Sequence, residues 1–150
     1  MNYLKQTDFK HEPEIDKAGC LLMTLLTIAQ KAACRVLDSE KILFIYKHLI
    51  ARGYMKPNCF IRDHNAVLNE GLSLLLATDI ELKYVGAYYI DETLGTSWGK
   101  TYGDYIVLHV RTLLGNGHFR LMDYDPYEPS PPYERILSIR YYILKERENG

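Results

Sequence analysis

"EIDKAGCLLMTLLTIAQ", residues 14–30, opens with charge, crosses Gly19, and from Cys20 onward is almost wholly apolar. Leu21, Leu22, Met23, Leu25, Leu26, Ile28 and Ala29 cover every face at helical spacing, so the pattern predicts a helix over 17–35 that is apolar nearly all round. Such a helix belongs at the centre of a fold. It places the Cys20 thiol at the helix N-terminus, where unpaired N–H groups and the positive end of the dipole favour a thiolate. A cysteine at such a tip is a candidate nucleophile. The plainer reading is also open, since free cysteine is among the most buried residue types.

Working outward, Asp38 or Ser39 caps a second helix with an apolar stripe of Ile42, Phe44, Ile45, Leu49 and Ile50, ending at Arg52-Gly53. Asp63 caps a third that carries Val67, Leu68, Leu72, Leu75 and Leu76 and stops near Thr78. Beyond Thr78 the pattern changes to the β-branched and aromatic runs IELKYVGAYYI, DYIVLHVRTL, HFRLMDYDPY and RILSIRYYIL, which read as strands. "LLGNG" between the second and third is a hairpin signal, because Gly and Asn tolerate positive φ. Pro126, Pro129, Pro131 and Pro132 break the chain before the last strand, and "DETLGTSWGKTYG" reads as a polar loop of the kind that rims sites. Ten of the 13 tyrosines fall between Tyr84 and Tyr142, which suits a β-rich second half or a tyrosine-lined groove. The expected class is α+β: N-terminal helices, the apolar one buried, packed on an antiparallel sheet.

The 150 residues suit one domain. With 47% hydrophobic and 25% charged residues, the composition is that of a globular chain. A net charge of −1 without a Lys/Arg cluster excludes the electrostatic footprint of a nucleic-acid binder. The longest apolar run, Ala18 to Ala29, is too short to span a bilayer, which takes about 20 residues. No apolar signal core opens the chain, so the expected location is cytoplasmic. Cys20, Cys34 and Cys59 lack CxxC spacing, which argues for free thiols and against a structural metal site. Cys34 and Cys59 read as structural. His11 and His48 read as surface residues and His64 as a neighbour of a helix cap, and no cofactor is expected.

A Gly-Cys pair opening a buried helix, further helices, then an antiparallel sheet with "GHF" and "DP" resembles the papain-like cysteine peptidases, nearest to their bacteriocin-processing branch. That family has a Gln upstream of the Gly-Cys helix start, then "GH" before an apolar strand, then a strand ending in "DP" plus an aromatic. The likeness covers roughly residues 3 to 145 in order of elements. It implies a papain-like fold in one domain and thiol-mediated cleavage of an amide, with a peptide or protein as substrate or partner. Cys20 matches the nucleophile. Gln6 matches the oxyanion-hole glutamine at a long separation of 14 residues, and also reads as a surface glutamine near a frayed terminus.

Two registers compete for the base and its acid. In the first, His118 of "GHFRLMDYD" is the base and only Glu146 follows as an acid. In the second, Asp125 of "DYDPY" is the acid, and the preceding strand "GDYIVLHV" offers Asp104 in the histidine's slot. His109 then lies five residues along, about 16 Å at strand rise. His118 and Asp125 on one extended strand would be roughly 23 Å apart and unable to meet without a bend or break, and Asp123 fails at about 16 Å. The second register leaves a sensible closing segment and is preferred. It implies a scaffold that has lost its histidine and binds a peptide or partner in the old cleft. The candidate site is therefore Cys20, His118 and Asp125, with Gln6 and Asp104 at the cleft, either as an enzyme or as a non-catalytic binder. An unrelated α+β module remains the third alternative.

Overall fold

The computed structural model describes residues 4–89, 105–121 and 123–147. Asp104, a candidate from the sequence, and the whole of the polar loop, residues 91–103, lie outside the described residues. Elements follow in the order helices then strands: a short 3-10 turn at Gln6–Asp8, then α1 (Pro13–Ala18), α2 (Cys20–Ala33), α3 (Ser39–Ala51) and α4 (His64–Leu74). The strands are β1 (Ile80–Tyr89), β2 (Tyr105–Thr112), β3 (Gly117–Leu121) and β4 (Tyr133–Glu146). All pair antiparallel in one sheet of order β1-β4-β2-β3, so β3 is an edge strand. The class is α+β, as the sequence pattern predicts.

The apolar helix is shorter than its pattern. It begins at Cys20 because the chain divides at Gly19, whose N–H closes α1 on the Ile15 carbonyl (2.8 Å) and whose carbonyl opens α2 by accepting from the Met23 N–H (2.9 Å). A Cβ on Gly19 would stand 2.5 Å from the Ile15 carbonyl oxygen, so only glycine fits this joint. At the other end Cys34 ends the helix in the left-handed region at φ 54°, its N–H bonding back to the last turn. Leu22, Met23, Leu25, Leu26 and Ile28 are fully buried, each contributing roughly 1.5–3 kcal/mol relative to exposure.

Packing around α2 is close. Its neighbours are α4 and β3. Gly71 of α4 lets the two helices approach, since a Cβ there would meet Ala29 and Leu26 at 3.1 Å. The buried polar groups of α2 are all engaged. Thr24 and Thr27 hydroxyls donate to the carbonyls one turn back, of Cys20 and Met23, and Gln30 Oε1 accepts from the Leu37 N–H at 2.7 Å. The predicted caps form: Asp38 accepts from the Lys41 N–H and Asp63 from the Ala66 N–H. The expected hairpin joins β2 to β3, with Gly115 at φ +83° and the Thr112 N–H bonded to Asn116.

Apolar residues of the sheet divide between two faces. Val107, Leu121 and Tyr142 join the core around α2, while Leu108, Val110, Ile139 and Tyr141 form a smaller cluster. Among the described residues no helix is long and apolar enough to cross a membrane.

The Gly19 joint sets the position of Cys20, so Gly19→Ala is expected to lower stability by about 1–3 kcal/mol through overpacking against the Ile15 carbonyl. Urea midpoints of the two proteins measure it. Equal midpoints would show that the joint relaxes freely.

Candidate functional site

Cys20 is the first residue of α2, and its helix tip docks against the outer edge of β3. The Phe119 N–H, on the side of β3 away from β2, donates to the Cys20 sulfur at 3.5 Å. One turn on, the Thr24 hydroxyl lies 3.4 Å from the Phe119 carbonyl oxygen. The edge that β3 would otherwise leave unpaired is thus met by the first turn of α2. Cys20 stays half-buried, and its sulfur is near enough to the His118 ring to influence its titration.

His118 precedes Phe119 on the same strand and pairs in register with Val110. Its ring is buried, and its Nε2 meets Asp125 Oδ1 at 2.6 Å. The separation of roughly 23 Å expected for one extended strand does not arise, because β3 ends at Leu121 and the chain doubles back. The Leu121 N–H bonds to the Tyr124 carbonyl at 3.0 Å, and this reversal returns Asp125 to His118. The preferred register therefore gives way: the Asp125 of one register is joined to the His118 of the other. His109, the other imidazole considered, instead stacks on Phe119 with ring centres 4.4 Å apart.

Asp125 is the most heavily bonded side chain of the site. Oδ1 also accepts from the Tyr127 N–H (2.9 Å), and Oδ2 accepts from the Ser130 hydroxyl (2.7 Å) and from the Tyr133 hydroxyl. Tyr133 also stacks on the His118 ring at 5.8 Å and an interplanar angle of 11°. One tyrosine thus touches both members of the pair. Sequence reading missed Tyr133 and Ser130; the only signal was the proline cluster around them, which implied a folded loop without saying what it wraps. The N-terminal segment closes this loop from the other side, with Lys5 Nζ on the Asp125 carbonyl (2.7 Å) and the Gln6 N–H on the Pro126 carbonyl (2.8 Å).

Gln6 is not the surface residue of a frayed terminus. It is buried, and its Nε2 donates to the Asp16 carbonyl at 2.9 Å, with a second N–H on the same nitrogen. Its Oε1 has no partner among the described residues. A cleft of about 630 Å³ lies here, bounded by Gln6, Asp16 and Lys17 on one side and by His118 with its hairpin and the proline loop on the other.

The electrostatics follow from this packing. Burial alone would lower the His118 pKa, but its hydrogen bond to the Asp125 carboxylate, the neighbouring Cys20 and the Asp125 charge outweigh it and push it up to about 9. Burial works against the Asp125 carboxylate, and the bonds from His118, Ser130 and Tyr127 more than offset it, holding the carboxyl below its usual range. Cys59 is buried against the Glu14 carbonyl, and desolvation, with smaller contributions from the neighbouring Cys20 and Glu14 side chains, pushes its thiol up to about 12. Cys34 is exposed. His64 is not a simple neighbour of the cap: its ring bonds the Tyr142 hydroxyl at 2.8 Å, and burial and then Arg140 lower its pKa to about 4.

Because His118 titrates higher in the fold than its ordinary 6.5, the stability it contributes is fully present below about pH 6.5 and is lost as pH rises through about 9. Wild-type stability should fall across that window, by an amount on the order of 1–3 kcal/mol, and Asp125→Asn should flatten the fall. Urea midpoints at the two ends of the window test this. An equal fall in Asp125→Asn would assign the pH dependence to other groups.

Residues 1–90 match the family described as Protein of unknown function, DUF261, and the chain belongs to that family. The matched part contains Gln6 and Cys20 and ends before His118 and Asp125. No curated protein and no solved structure matches the chain.

Proposed function

We propose that this protein is a papain-like thiol hydrolase that cleaves an amide bond in a peptide or protein. The observation that carries the reading is the buried His118 ring, held by Asp125 through Nε2, next along β3 to the Phe119 N–H that meets the Cys20 sulfur at a helix N-terminus. Nucleophile, base and a group that orients the base are the parts covalent catalysis requires. The order Gln6, Cys20, His118, Asp125 along the chain, with helices before an antiparallel sheet, is similar to the papain-like pattern and supports the same assignment.

In this reading His118 already carries the proton at neutral pH, as its raised pKa requires, and Cys20 attacks the amide carbon as the thiolate and forms a C–S bond. The second Gln6 N–H and the backbone N–H of Cys20 stabilise the oxyanion. His118 then gives its proton to the leaving nitrogen as the C–N bond breaks, leaving a thioester on Cys20. A water molecule, deprotonated by His118, hydrolyses the thioester. The products are an acid and an amine, and the Cys20 sulfur and the protonated His118 are restored. Asp125 stays ionised throughout and holds the ring, and Ser130, Tyr127 and Tyr133 in turn hold Asp125.

A peptidyl electrophile should label Cys20 selectively over the exposed Cys34, and His118→Ala or Cys20→Ser should abolish that selectivity. Hydrolysis of quenched peptides should fall about 10²–10⁴-fold in His118→Ala. Equal labelling of Cys20 and Cys34, with no cleavage, would point instead to a non-catalytic protein that binds in the same cleft.

A further inference from the structure

We infer that the His118 side of the cleft is an apolar subsite for the leaving group, in which Leu113 and Leu114 select a peptide substrate with a bulky apolar residue directly after the scissile bond. This rests on the hydrolase reading above and specifies its substrate.

The two walls of the cleft differ in chemistry. Gln6, Asp16 and Lys17 come from the N-terminal segment and are polar, whereas the β2–β3 hairpin and the proline loop supply the apolar Leu113, Leu114, Pro131 and Pro132, with Thr112 and Asn116 as polar neighbours at the hairpin. Leu113 and Leu114 sit at the hairpin tip at 64% and 88% exposure, a costly place for two adjacent leucines in the absence of a ligand. The loop is not shaped by them, since Gly115 and the Thr112–Asn116 bond close the turn without either side chain.

Proton delivery fixes which half of the substrate meets which wall. The oxyanion belongs to the acyl half and is held by Gln6, so the acyl half lies along the N-terminal segment. The proton His118 carries must pass to the leaving nitrogen, so the amine half lies against the wall that carries His118. The leucines are on the strand connection directly before His118, and Pro131 and Pro132 directly before Tyr133, which stacks on it. The residue after the cleaved bond therefore meets the apolar wall. A primary amide, whose leaving group is ammonia, would leave that wall uncovered, which sets a peptide apart from a side-chain carboxamide as substrate.

The test uses the full chain and a quenched-peptide library varied at the residue after the cleavage site, with a peptidyl chloromethyl ketone, whose peptide lies wholly on the acyl side, as a second readout. Wild type should favour Leu or Phe over Ser at that residue by about 10- to 100-fold in kcat/KM. Leu113→Ser with Leu114→Ser should reduce the preference to about threefold or less while the ketone labels Cys20 at an unchanged rate. Leu114→Ser alone, at the more exposed position, serves if the double variant does not fold. Labelled Cys20 with cleavage indifferent to that residue, or a preference that survives the substitutions, overturns the subsite and leaves the hydrolase reading standing. Neither labelling nor cleavage overturns both.

Discussion

The first turn of α2 against the outer edge of β3 is the contact on which the rest of the molecule depends. The Phe119 N–H and carbonyl face away from β2, and they meet the Cys20 sulfur and the Thr24 hydroxyl. An edge strand ordinarily needs charge, a bulge or a covering element to keep it from pairing with another chain. Here the cover is a helix tip, and the same contact that closes the edge sets the sulfur beside His118, one residue before Phe119. Edge protection and site geometry are a single arrangement.

The surroundings leave α2 little freedom to move along that edge. Its apolar side chains are buried on all sides, Gly71 draws α4 close to Ala29 and Leu26, and the Gly19 joint admits no Cβ. The N-terminal segment lies across the helix, with the Leu4 N–H 3.4 Å from the Thr27 hydroxyl, and reaches the proline loop through Lys5 and Gln6. Three stretches far apart in sequence are thus held on one helix, and a shift in any of them would disturb His118 through Asp125.

Asp125 shows how a short turn organises such a site. Its carboxylate gathers His118, Ser130, Tyr133 and the Tyr127 N–H, three of the four supplied by the eight residues that follow it. Local donors of this kind keep a buried carboxylate charged, and the charge in turn favours the protonated imidazole. The proline-rich sequence is suited to the task, because prolines restrict the loop that carries these donors before any of them is engaged.

What the sequence by itself determined was local: the apolar helix opening near Cys20, the Asp38 and Asp63 caps, the four β-rich runs and the LLGNG hairpin. Periodicity and turn chemistry act over a few residues, and they suffice for such features. Gln6, Cys20, His118 and Asp125 were also legible as residue types, but how they combine was not. Extended-strand geometry set His118 apart from Asp125, and only the reversal after Leu121, fixed by a bond to Tyr124, brings them together. Likewise Gln6 reads as a terminal surface residue until the proline loop and α1 bury it, and Tyr133 has no distinguishing mark in the sequence at all. The tertiary structure decided these because each depends on where a chain reversal places one segment against another, a choice made by hydrogen bonds and packing between residues remote in sequence.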